Sequence, residues 1–551
     1  MEPQQTPPSE PVQQPTEAPI INQDLQPESE ALPPAPEPKK KSGTRKWLLL
    51  IFLLLILVGG GYLAHHYTQK SSKTITSTKD ISLVRIGSAN GPVGTANIYP
   101  NPQGTYLSLA ISSQIYEGLV SYNDNKIVPD LATSWTNPDT STWVFQIAQN
   151  IKFQNGDSLT TADVVNSFEA NIKNSGWNKY TSTIDTVKST GEHQVTITTT
   201  TPDALLLKRL VSAFVFKKTS DGTLYGTGPY VVDKSKPDTD ASLNLKAFEG
   251  YHAGSPKTKA LSYAIYESPE QLVAAYKANK IDSFDDYVNA ATQKQLSSTA
   301  QVAKYADAGS SMLLMNMVRP AGVLANKTLR EAIAYALDRP SLVKQSANAA
   351  QIAQTLIPQS VIGYAASVTF PGLDVAKSKQ LQTAAGYPNG APLTFVYVKD
   401  AQPDPPVIIQ QLQAAGFKVI PTVVSSSHDL FTVTKTGNFD LMGLTYSSDY
   451  FDATDIFTAM LDSRQSDFQL YDNTKYNALI DTAEQTFNAA QHIQKVQAIN
   501  KFITDNYLAI PVHSTETALY FRPNYQIPKQ YTRALATPAY WRVGQTVTTQ
   551  E

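Results

Sequence analysis

The sequence has no cysteine among its 551 residues. That absence removes disulfides, thiol catalysis, thiolate metal sites and cysteine lipidation from consideration. Histidine is scarce, at seven. No H-E-x-x-H, G-x-S-x-G or Walker lysine motif occurs, so the constellations of a zinc protease, a serine hydrolase and a nucleotidase are missing. No catalytic residue, metal site or cofactor is assigned, and the chain is read as a non-enzyme. The net charge is -2 at pH 7, with no long basic run in the body. Such a chain offers nucleic acid no electrostatic footprint.

Order-promoting residues are also scarce at the start. Residues 1–38 hold eleven of the 35 prolines, seven acidic residues and no Lys or Arg. Too little apolar surface is available there to offset ordering, so a disordered, partly polyproline-like tail is expected, with a docking site for a proline-reading partner as the alternative. Lys39, Lys40, Lys41, Arg45 and Lys46 then abut an uncharged stretch of 18 residues, Trp47 to Ala64. An 18-residue helix rises about 27 Å, enough for the hydrocarbon layer, and Trp47 and Tyr62 suit its two interfaces. The expectation is a single-pass helix with a cytoplasmic N-terminus and an extracytoplasmic body. A cleaved signal is the competing reading, against which stand the long leading region and the lack of a small-x-small site. His65-His66 cannot complete a metal shell alone. Ser, Thr and Lys dominate from Tyr67 to Asp80, which reads as a flexible spacer with a reach of about 20 Å.

The length suggests two to four domains. Ile115 to Val165 is the most legible part of the body. An apolar segment passes a polar turn at Asn123-Asp124-Asn125, and Thr142 to Ile147 then alternates with strand period. Asn155-Gly156 signals a tight turn with positive φ at both residues, and Thr161 offers an N-cap before Val164, Phe168 and Ile172 at helical spacing. Further on, Glu270 to Ile281 reads as a helix, and Met312 to Met317 as a buried strand whose methionines fill the core or form a hydrophobe-binding box. Leu393 to Val398, the helix Pro406 to Ala415 and Phe417 to Val423 form a βαβ unit. Gly226-Thr227-Gly228-Pro229-Tyr230 is a tight turn, which as a phosphate cradle would lack both a Lys and a following helix. Phe439 to Tyr450 is a strand running into a polar loop, the place where α/β sheets present ligand contacts.

These segments, in order, resemble the large extracytoplasmic solute-binding proteins that feed peptide ABC transporters, solute-binding protein family 5. The match rests on Tyr116-Glu117-Gly118-Leu119, Pro129 to Trp135, Trp143 to Ile147, Lys152 to Gly156 and Thr161-Ala162-Asp163-Val164. It continues through Gly226 to Tyr230, Leu243 to Phe248, Tyr251 to Lys257, Lys280-Ile281-Asp282, Asn316, Thr328 to Arg339, Pro358-Gln359-Ser360 with Gly363-Tyr364, Asp374 to Gly390, Asn473 to Ile503 and Ala509 to His513. Departures are Ala148 where the family usually has Arg, His252 where Trp is common, and Tyr446 in place of Trp in the family's G-W-x-x-D-Y.

The resemblance implies an α/β, bilobed, periplasmic-binding-protein-like fold of type II, in the large peptide-binding class, with an extra subdomain. One transmembrane helix and a disordered tail precede it. The implied layout is tail 1–46, helix 47–64, linker 65–80, first lobe 81–122 with 227–317 and 505–551, its subdomain 123–226, and second lobe 318–504. The implied function is a membrane-anchored monomer that captures a peptide between the lobes. It would deliver that peptide to the permease and ATPase subunits of an ABC importer. Asp449 matches the carboxylate that pairs with a peptide ammonium, with Tyr446 and Tyr450 beside it, and Gly104, Thr105 and Tyr106 match residues lining the groove. Asp449 could instead cap the helix near Asp455, where Asp452 and Thr454 are equally good caps. Gly443 stands where some relatives carry an Arg for the peptide carboxylate, so ligand length is open. A sugar, metal chelate or haem as cargo, and a peptide sensor signalling through the tail, are the alternatives.

Overall fold

Two long strands organise the body: Gln301–Met315, of 15 residues, and Ala509–Phe521, of 13. At about 3.3 Å per residue the longer one reaches about 50 Å, enough to serve two separate cores. They pair antiparallel from Gln301↔Phe521 to Leu314↔Ala509, with register shifts between Ala306 and Ser310 and between Ser311 and Met312. The computed structural model describes residues 74–550 except 90–92, 100–105, 124–125, 175–179, 287–293, 297, 346–348, 366–367, 400–404, 426, 465–467, 469 and 527–539. The tail, the Trp47 to Ala64 stretch and His65-His66 therefore lie outside the described residues. Among the described residues no helix is long and apolar enough to cross a membrane.

An 11-stranded sheet grows from both sides of this strand pair. Toward the first lobe, Ser283–Asp286 pairs with Ala509–Phe521 and runs parallel to Val84–Ser88, followed by Ala260–Ile265, Ser242–Ala247 and Tyr230–Val232. Toward the second lobe, Leu441–Ser447 pairs with Gln301–Met315, and Pro392–Val398 and Lys418–Val424 follow in parallel. The helix Pro405–Ala414 links the last two and buries Ile408 and Leu412, one turn apart. That is the expected βαβ unit, shifted by one residue at the helix. Here the sheet is covered on both faces, so successive residues of one strand enter different cores. Leu313 and Met315 pack with Leu329, Phe395 and Ile408, while Met312 and Leu314 pack with Met442, Ile456 and Tyr476. The methionines of the Met312 to Met317 run are thus core filler.

The Arg and Asp of the Thr328 to Arg339 segment serve the backbone. Arg330 donates to the carbonyls of Leu324 at 2.8 Å and Asn506 at 2.9 Å, Arg339 to that of Ala353 at 2.8 Å, and Asp338 accepts the Ser341 amide at 3.1 Å.

A separate four-stranded sheet, Ala132–Asp139, Thr142–Ile147, Gln194–Thr199 and Ile184–Gly191 in spatial order, forms the small subdomain. Trp143, Phe145 and Ile147 are buried on alternate positions, and the helix Thr161–Lys173 lies against the Ile184–Gly191 and Gln194–Thr199 strands with Val164 and Phe168 buried. Three local expectations change here. The N-cap is Thr160, not Thr161, because Thr160 and Asp163 form a reciprocal capping box. Ile172 lies at the solvent edge of the stripe, 37% exposed. Of Asn155 and Gly156 only Gly156 takes positive φ, at 94°, so the turn is not the two-residue type with both centres left-handed.

The spacer reading also changes. Thr74–Lys79 is a strand, paired residue by residue with Gly544–Gln550, which in turn pairs with Tyr525–Gln526. Its alternating β-branched residues suit a strand once a partner is supplied, and that partner comes from the far end of the chain.

Candidate ligand-binding cleft

The Leu441–Ser447 strand ends opposite Gly309 of the Gln301–Met315 strand, and Ser448 to Phe451 then turn toward the first lobe. The loop is tied at several points. Ser448 Oγ accepts the Asp452 amide at 3.2 Å and donates to the Asp452 carbonyl at 3.1 Å, while Phe451 adopts a left-handed φ of 53°. Asp452 caps the helix Ala453–Leu461, accepting the Thr454 amide at 3.1 Å. The cap alternative for Asp449 therefore falls to Asp452. Asp455, in the first turn, accepts the Asp449 amide at 2.5 Å and the Tyr446 hydroxyl at 3.2 Å. Backbone and flanks fixed in this way leave the Asp449 side chain with a defined direction.

That direction is toward the first lobe. Tyr180, in the small subdomain, donates its hydroxyl to Asp449 Oδ2 at 3.0 Å. Nearby, Tyr122 donates to the Tyr450 carbonyl at 2.6 Å, and the Tyr450 ring sits in the first lobe's core beneath the Arg209 guanidinium, 6.0 Å away. The Tyr446 phenol is pushed well up by burial and then by the charges of Asp455 and Asp449. Burial and Asp455 do the same to Tyr450, against Arg209. Both phenols stay neutral, and neither is suited to act as a base.

Of the residues expected at the site, Tyr446, Asp449 and Tyr450 are brought together. Tyr106 begins the helix Tyr106–Ile115, and Gly104 and Thr105 lie outside the described residues. The Gly226 to Tyr230 turn is structural. A Cβ on Gly226 would stand 2.0 Å from the Ile115 carbonyl oxygen, and Gln154 Nε2 donates to the carbonyls of Ile115 and Tyr230 at 2.7 Å each. This glutamine ties the end of the Tyr106–Ile115 helix to the turn, so the segments that carry the sequence match are one another's packing partners.

Tyr180, Asp455, Lys208, Arg209, Glu484 and His492 were not singled out by sequence. One signal was present: Lys208 and Arg209 interrupt the apolar run Leu205 to Val211, and cations in such a run need buried anions.

Proteins of similar sequence include the nickel-binding protein NikA of Staphylococcus aureus, 25% identical over 335 residues, or 59% of this chain and 66% of that protein. Heme-binding protein A of Haemophilus influenzae is 23% identical over 423 residues, covering 68% of this chain and 77% of the relative. The chain thus spans slightly under two thirds of the first relative's length. Among solved structures, the periplasmic binding protein DppA of Helicobacter pylori, in complex with the peptide STSA, superposes with a TM-score of 0.73 at 18% identity. That superposition covers 85% of this chain and 98% of the other, and it speaks for the fold alone. The family model described as bacterial extracellular solute-binding proteins, family 5 middle, matches residues 126–468, well over half of the chain. This protein belongs to the bacterial extracellular solute-binding proteins of family 5.

Proposed function

We propose that the chain captures peptides in the cleft between its lobes and delivers them to an ABC importer, anchored to the membrane by the helix expected at 47–64. The observation that carries the cargo reading is Asp449, held by its own backbone and aimed at the opposite lobe. A carboxylate in a closed, water-poor gap attracts an ammonium more strongly than in bulk water, so it anchors any chain with a free amino end. Main-chain hydrogen bonds and wet side pockets would supply the rest, which suits a receptor of broad specificity.

Relatives named for nickel and heme make non-peptide cargo the competing reading. Against a dedicated bare-metal site, no group of three or more His, Asp or Glu able to hold an ion occurs among the described residues. Tethering would raise the receptor's concentration beside its transporter without adding a contact. Native mass spectrometry of the full chain, purified without added ligand, tests the cargo. Bound peptides released by acid support the reading, and a metal chelate, haem or sugar in their place overturns it.

A further inference from the structure

Lys208 and Arg209 sit on the short helix Leu206–Leu210 of the small subdomain. Each finds an anion on the second lobe. Lys208 Nζ lies 2.5 Å from Asp452 Oδ2, and Arg209 Nη2 lies 3.0 Å from Glu484 Oε1, while Asp203 on Arg209's own side holds Nη1 at 2.5 Å. The Ala204 amide also donates to the Glu484 carbonyl at 2.9 Å, and the Trp143 and Phe487 rings stack with centroids 6.2 Å apart. These contacts join the two lobes directly.

Asp452 is fully buried and serves a second cation. His492 Nε2 lies 2.8 Å from Asp452 Oδ2, and His492 Nδ1 lies 2.9 Å from the Ala483 carbonyl oxygen. A carbonyl only accepts, and so does an ionised carboxylate, so both ring nitrogens carry protons and the ring is an imidazolium. One carboxylate is therefore shared between a cation of its own lobe and a cation of the opposite lobe.

We propose that Lys208, Asp452 and His492 form a proton-linked latch, in which loss of the His492 proton tightens closure of the lobes and its gain loosens it. The latch rests on the clamp motion of the proposed function and not on the identity of the cargo. With the ring charged, Lys208 approaches an ion pair that is already neutralised; with the ring neutral, it approaches a full negative charge. Burial opposes the ring's charge, but Asp452 and the Ala483 carbonyl outweigh it and hold the imidazole above its usual range, while Lys208 pulls it down. Opening removes Lys208 and some of the burial, so the open form binds the proton more tightly. Closure is consequently strongest above the open form's pKa and weakens as pH falls toward that of the closed form, a window above about 6.5. The other groups around the site, Tyr122, Tyr450, Arg209 and Glu484, do not reverse that sign. The two phenols are pushed up mainly by burial, and Arg209 with Glu484 forms a separate pair.

The lack of native cysteine permits clean spin labelling. Lys188→Cys on the subdomain and Lys495→Cys on the second lobe are exposed positions, and the distance between their labels reports closure in the full chain without cargo. The closed-to-open ratio is expected to rise about threefold to tenfold between about pH 6 and about pH 9. His492→Gln, which keeps a donor but cannot titrate, should flatten that slope, and Lys208→Met should lower the closed fraction at every pH. A wild-type ratio that is constant or falls with pH, or a slope that survives in His492→Gln, overturns the latch. Because no cargo is present, that failure leaves the peptide reading standing, and failure to find peptide leaves the latch standing.

Discussion

Tyr180 and Asp449 are 269 positions apart in sequence, yet the phenol donates to the carboxylate at 3.0 Å. On the clamp motion proposed above, opening would withdraw Tyr180 from this carboxylate. On the peptide reading, Asp449→Asn should weaken binding of trialanine by about 10-fold to 100-fold, the range of one charge-assisted hydrogen bond. Tyr180→Phe should cost less, because the ammonium keeps its counter-charge. Calorimetry with trialanine and its N-acetylated form is the check. Equal binding of the two peptides by the wild-type protein would show that the carboxylate does not read an amino end.

The Gly226 turn gives a prediction that is independent of cargo. With the added Cβ 2.0 Å from the Ile115 carbonyl oxygen and 2.7 Å from its carbon, only backbone movement could relieve Gly226→Ala. The expected loss is about 3 kcal/mol or more, at the upper end of overpacking. Urea unfolding of the full chain measures it. A midpoint within error of wild type would mean the turn does not pack on this helix end.

Glu117 is a fully buried carboxylate that accepts from the Tyr251 hydroxyl at 2.9 Å and lies 2.9 Å from His252 Nε2. His252 occupies the position where Trp is usual in the family resemblance, and its contact with Glu117 explains how the imidazole is used. His252→Ala should destabilise the fold by about 1–3 kcal/mol, the cost of taking a donor from a buried acceptor. Adding Glu117→Gln should recover part of that loss, because the group left behind is then neutral. Strictly additive effects in the double mutant would argue against the contact.

What the sequence revealed follows the range of each signal. Thr142 to Ile147 and the βαβ unit from Leu393 to Val423 carry periodicities that a short window contains, and the structure places elements there with ends shifted by at most one residue. The strand Thr74–Lys79 was read as spacer because its partner, Gly544–Gln550, is supplied from the other end of the chain. Asp449 and Tyr446 stand out in the sequence only through a motif. Tyr180 belongs to no motif, and nothing local marks a tyrosine whose partner lies in another lobe. Lys208 and Arg209 did leave a trace, as charges within an apolar run, but the anions they meet could not be named from it.

Acid stability should reflect two groups, His513 and Asp285, that pull in opposite directions. His513, fully buried on the Ala509–Phe521 strand, is pushed down to about 4 by burial. Between about pH 6.5 and that value the unfolded chain binds a proton that the folded chain refuses, so stability falls on acidification, by at most about 3 kcal/mol. Burial pushes Asp285 up to about 6. Here the folded chain takes the proton first, so acidification from about pH 6 to the unfolded value of about 3.9 adds stability. The windows overlap, and the wild-type curve should be flatter than either group alone would make it. His513→Gln should therefore leave a protein that loses less stability between about pH 7 and about pH 4.5, and Asp285→Asn one that loses more. Urea midpoints across that range decide the matter. Parallel curves for wild type and His513→Gln would mean the imidazole is not held neutral in the folded protein.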